Sequence, residues 1–122
     1  MKKTTSQKKT VSEYVEECHK NAVEKGFWDF YLFALCRPMP TELRNRLNQY
    51  VITTSIMLIV TELSEAVEAL RKDDMSNFKE ELADVAIRLF DLVGGLEIDL
   101  EEEINKKMEI NKNREKMHNK LF

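Results

Sequence analysis

At 122 residues, with 43% hydrophobic and 34% charged side chains, the chain is sized for one domain burying about two-thirds of its unfolded surface. Three Gly and two Pro leave too little turn chemistry for a sheet-rich fold, so the composition predicts an all-α protein. A net charge of -3 with a pI near 5.5 argues against a general nucleic-acid binder, which concentrates Lys and Arg against phosphate.

The first ten residues, MKKTTSQKKT, have no apolar period and read as a flexible basic tail, leaving residues 11–122 as a single helical domain. No apolar leader core follows the tail, and VITTSIMLIV is too short and too interrupted to span a bilayer, which takes about 20 residues; a cytoplasmic protein with no membrane partner is expected. Cys18 and Cys36 form no C-x-x-C and predict two reduced thiols, at least one of them in the core.

Ser12 is placed to cap a first helix running to about Lys25, which Gly26 ends. The aromatic run GFWDFYLFALCRPMP that follows fits a short helix, a strand or an ordered loop. Thr41 can cap the next segment, up to Lys72, with a possible break near Thr53 to Ser55. Apolar residues on every side between Ile56 and Val60 predict neighbours on more than one face, for which a second subunit is the natural source. After the polar link RKDDMSN, Ser76 can cap a helix through about Leu92, ended by Gly94-Gly95. The short link makes these two helices antiparallel neighbours. Asp99 with Glu102 reads as a capping box for a last helix, with Ile104 and Met108 facing inward. The whole is an antiparallel bundle of four to five helices.

Two acidic pairs stand out: Glu62 with Glu65 in TELSEAVEAL, and Glu81 with Asp84 in KEELADVAIR. Spacing of i,i+3 puts each pair on one helix face, bordering an apolar stripe (Leu63, Ala66, Val67, Leu70; Leu82, Val85, Ala86, Leu89). If the helices pack, four carboxylates converge beside a dry core, which is unfavourable without a proton or cation. Oxygen-only ligation suits Mg²⁺ or Mn²⁺ rather than Zn²⁺. Against this, Glu is a strong helix former and E-x-x-E recurs on solvated faces. A di-iron bundle needs Glu-x-x-His pairs, which neither His19 nor His118 supplies.

On the last helix, Lys107, Asn111 and Arg114 recur at i, i+4, i+7 and share a face able to hold phosphate oxygens, or form an ordinary solvated surface. Arg88 and Asp91 lie on the acidic side of their helix, and an i,i+4 ion pair of Asp84 with Arg88 accounts for the former.

In order, NAVEKGFWD, the E-x-x-E of TELSEAVEALR, the E-x-x-D of EELADVAIRLFDLVGGLEIDLEE and KMEINKNR resemble the MazG-like nucleotide pyrophosphohydrolases of the all-α NTP pyrophosphatase superfamily, over about residues 20 to 115. The resemblance implies hydrolysis of a nucleoside triphosphate between its α and β phosphates, with Mg²⁺ as cofactor and a homodimer or homotetramer as the assembly. By motif, Glu62, Glu65, Glu81 and Asp84 would hold the metal, and Lys107, Asn111 and Arg114 would contact phosphates; the motif does not fix which acid is the general base, for which Glu65 is the choice. Trp28 would line the base pocket. The chain departs from the pattern after KNR, where EKMHNKLF replaces a glycine-containing HGK-like stretch, so that His118 need not close the site. The competing reading is a non-catalytic helical oligomerisation or partner-binding module whose acids form a solvated stripe.

Overall fold

A computed structural model describes residues 8–114, and among them are five α-helices and no strand. They are α1 (Val11–Glu24), α2 (Asp29–Leu35), α3 (Thr41–Arg71), α4 (Met75–Gly95) and α5 (Leu100–Lys112). The all-α expectation holds, and the undecided aromatic run forms α2. Most of the basic tail lies outside the described residues; of its last three, Lys9 pairs with Glu17 and Thr10 caps α1.

Helix starts differ from the expected ones. α1 is capped by Thr10, not Ser12: Thr10 Oγ1 accepts from Glu13 N–H and the Glu13 carboxylate returns the bond to Thr10 N–H. Ser12 Oγ instead donates to Glu101 of α5 at 3.2 Å. Asp74, not Ser76, caps α4, accepting from Asn77 N–H at 3.0 Å. α3 begins without a side-chain cap, with Pro40 in the Ncap position and Thr41 already helical. Nor does α3 break near Thr53 to Ser55. Both hydroxyls turn back onto carbonyls four residues earlier, Thr53 to Gln49 at 2.7 Å and Ser55 to Val51 at 2.9 Å, so the helix runs 31 residues.

Helices α1, α3 and α4 end alike. The amide two residues past the C-cap returns to the third-last helical carbonyl: Phe27 to Ala22, Asp74 to Ala69, Ile98 to Val93. The left-handed residue this turn requires is Gly26 (φ 87) after α1, as expected, but Asp73 (φ 54) and Glu97 (φ 58) after α3 and α4. Gly94 and Gly95 are thus the last helical residues of α4, beyond the expected end at about Leu92, and neither takes the left-handed turn. They thin it where other elements approach: a methyl group at Gly95 would sit 2.2 Å from the Trp28 ring, and one at Gly94 2.7 Å from His19 Cβ. In an open helix Gly→Ala gains about 1 kcal/mol. Here overpacking reverses the sign, and Gly95→Ala should cost about 1–3 kcal/mol in urea unfolding; a stabilised variant would refute this contact.

Helix α4 is the centre of the fold, packing against α3 on one side and α1 on the other, while α5 touches α1. The antiparallel α3–α4 seam is close because Ala66 and Ala69 are buried; with Trp28, Leu92 and Val93 they are the buried apolar residues among those described. Arg44 of α3 donates to the carbonyls of Leu35 and Arg37 at the end of α2, and Tyr31 Oη donates to Asn48 Oδ1 at 2.6 Å, pinning the aromatic segment to α3.

The core is small for the chain. Among the described residues five apolar residues are buried, while 23 large apolar ones are exposed. Ile56, Met57, Leu58 and Val60, expected to be enclosed, are exposed in the single chain. Ile104 and Met108 do not face inward as expected; they are 36% and 60% exposed. Neither cysteine is in the core, Cys18 being half-buried and Cys36 exposed, both as free thiols. Unbroken, α3 is also long and apolar enough to cross a membrane by length and composition, with a mean hydropathy of 1.4 in its most apolar window, contrary to the expectation from VITTSIMLIV alone.

Candidate metal centre

The α3–α4 seam carries the acidic pairs. Antiparallel packing sets Glu62, one helical turn before Ala66 and so beside the seam, opposite the middle of α4. One carboxylate oxygen each from Glu62, Glu81 and Asp84 lies within 4.8 Å of the others. Glu65 is more exposed but comes within hydrogen-bonding reach of Glu62 and Glu81. The expected convergence of the acids is thus present.

The charges are not equivalent. Arg88 Nε donates to Glu62 Oε1 at 2.7 Å, across the seam rather than to Asp84 on its own helix as expected. That guanidinium, against the opposing effect of burial, holds the Glu62 carboxyl below the usual range, helped by hydrogen bonds with Glu81 and Glu65. Glu81 moves the other way, raised to about 7, first by burial and then by Glu62 and Glu65 beside it. Its Oε2 is buried and receives no donor. A buried acceptor without a partner is costly, and here it points to a proton or a cation as the missing element.

The donor set suits a hard divalent ion: all ligands are oxygens, drawn from two rigid helices. Their separation, at most 4.8 Å, slightly exceeds the roughly 4.2 Å across an octahedral Mg²⁺ site, a gap that side-chain rotation closes. Glu62, Glu81 and Asp84 would hold the ion, with Glu65 at the edge.

Beside the acids opens a cavity of about 490 Å³, within the roughly 300–1,000 Å³ usual for small-molecule sites. Glu62, Asp84, Arg88 and Asp91 line it together with Trp28 and Tyr31. Trp28 is nearly buried, its Nε1 donating to Asp91 Oδ1 at 2.8 Å and its ring meeting His19 and Tyr31 edge-on at 5.0 and 5.8 Å. It is both a packing residue and part of the cavity wall.

Lys107 and Asn111 on α5, and Arg114 just beyond it, are exposed and do not line this cavity. His118 lies outside the described residues. Sequence reading gave no role to Tyr31 or Asn21 of the cavity, or to His19, which bonds to Asp91, and noted Asp91 without one. The legible signal was that Asp84, Arg88 and Asp91 fall on one face of α4 at i, i+4, i+7.

No protein-family model, curated protein or solved structure matches the chain.

Proposed function

We propose that the chain is a Mg²⁺-dependent nucleoside triphosphate pyrophosphohydrolase, cleaving between the α and β phosphates to give a monophosphate and pyrophosphate, with Mn²⁺ as a possible substitute. The observation that carries this reading is the joining of an acidic cluster holding an unpartnered buried oxygen to a cavity with aromatic walls. A polyphosphate suits the first and a planar base the second.

Within that reading Glu62, Glu81 and Asp84 hold the ion. When bound, Mg²⁺ supplies positive charge against the triphosphate and helps orient it. Glu65, exposed and outside the three acids that hold the ion, would take the proton of the attacking water. Arg88 keeps Glu62 ionised and offers a second cation at the cavity wall. Lys107, Asn111 and Arg114 serve the distal phosphates, a role that requires α5 to meet the site in the assembled oligomer.

A second copy of the chain is the proposed cover for the exposed middle of α3. Ile56, Met57, Leu58 and Val60, with Leu63 and Val67 further along the helix, are exposed apolar residues that a homodimer or homotetramer would bury.

Incubating the purified protein with canonical and modified nucleoside triphosphates, in Mg²⁺ and in Mn²⁺, should release pyrophosphate from at least one of them. Folded, oligomeric protein that releases none removes the proposal and leaves the non-catalytic module as the reading.

A further inference from the structure

One polar group in the cavity is left unused by the hydrolytic assignment. Asp91 Oδ1 accepts from Trp28 Nε1 at 2.8 Å and from His19 Nδ1 at 3.0 Å, the proton lying on Nδ1 because a carboxylate has none to give. These two donors, from α1 and from the turn before α2, fix the carboxylate on both sides. Its second oxygen, Oδ2, takes no hydrogen bond from any described residue, and Asp91 lines the cavity. The cavity is also lined by Trp28, Tyr31, Ile87 and Leu92, with Arg88 and Asp84 on the same face of α4 as Asp91. A fixed acceptor discriminates, because a ligand without a donor leaves it unpaired and one presenting an oxygen is repelled.

We propose that Asp91 is the specificity-determining residue of this cavity, selecting nucleobases that present an exocyclic amino group to it and rejecting those that present a carbonyl at the same position. This rests on the nucleotide reading given above. Cytosine and uracil make the sharpest comparison, since the edge of one carries an amino donor where the other carries an oxygen acceptor at nearly equal size. Adenine and inosine's base differ in the same sense. Asn21 and Lys25, also on the cavity wall, supply donors for the remaining ring carbonyls.

The test measures binding apart from turnover. Cytidine and uridine, without phosphates, are titrated calorimetrically into the wild-type protein and into Asp91→Asn, and hydrolysis of the corresponding triphosphates is assayed alongside. Asparagine keeps an oxygen for Trp28 and His19 but offers the cavity an N–H₂. The single tryptophan of the chain reports by its emission whether its surroundings survive. Wild type should bind cytidine at least about tenfold more tightly than uridine, and Asp91→Asn should erase or invert that ratio. An unchanged ratio in the folded variant, or a wild-type preference for uridine, overturns the assignment. Should the variant not fold, adenosine against inosine on the wild type decides: equal binding overturns it. Nucleoside discrimination without hydrolysis of any triphosphate supports the role of Asp91 and removes the hydrolase reading. Hydrolysis without discrimination does the reverse, and neither binding nor hydrolysis removes both.

Discussion

Glu62→Gln should lower pyrophosphate release about a thousandfold or more while leaving helix content and oligomeric state unchanged. The amide keeps an oxygen for Arg88 Nε, so the cross-seam bond that ties α3 to α4 survives. What it loses is the negative charge of a ligand, and several kcal/mol of charge stabilisation go with the ion. Helix propensity is nearly equal for the two residues, which keeps the fold out of the comparison. Glu65→Gln should separate the roles further: turnover falls, yet the rise in melting temperature on adding Mg²⁺ persists. Initial rates of pyrophosphate release and thermal melts with and without Mg²⁺ check both. Near wild-type turnover in folded Glu62→Gln would remove this residue from the site.

The second large effect is on pH-dependent stability, through Glu81. Its folded pKa of about 7 lies above the ordinary value of 4.5, so the folded state holds a proton that the unfolded chain has released. That contribution is fully present below the unfolded value and is lost as pH rises through about 7. Glu62, shifted downward, acts in the opposite sense and only at lower pH, where acid removes its contribution. The metal-free protein should therefore melt several degrees higher near pH 5 than near pH 8, and Mg²⁺, which needs the ionised carboxylates, should stabilise most at the alkaline end. Glu81→Gln should flatten the decline from pH 5 to 8 and abolish the Mg²⁺ shift. Calorimetric scans across pH, with chelator and with Mg²⁺, test this. A wild-type melting temperature that rises steadily from pH 5 to 8 in chelator would contradict the assignment.

Much of this arrangement could be read from the chain. The i,i+3 acids beside apolar stripes, joined by a short polar link, led to facing antiparallel helices with the carboxylates at their seam, because helical periodicity and link length are local properties. Cap identities were less legible: Thr10 and Ser12, or Asp74 and Ser76, are equally good chemistry two residues apart, and only the packed register chooses. Gly94-Gly95 misled because glycine ends helices and also admits close neighbours; Trp28 and His19 approach there, and Glu97 takes the strained turn. Arg88 was assigned to Asp84 by spacing, yet it reaches across to Glu62, whose carboxylate at 13% side-chain exposure has the greater need of a donor. Asp91 stayed without a role because its two partners come from distant parts of the sequence. The exposure of α3 and α5 was invisible for a similar reason, since apolar periodicity shows that a face wants covering but not whether the same chain covers it.

Arg88 has a further consequence. Many small metalloproteins unravel when a chelator strips them, because nothing else offsets their ligands. In this chain a guanidinium lies against one acid of the cluster, and burial favours the protonated form of another. On the magnesium-dependent reading proposed above, scarcity of the ion would idle such a protein without dismantling it, and replenishment alone would bring it back into service.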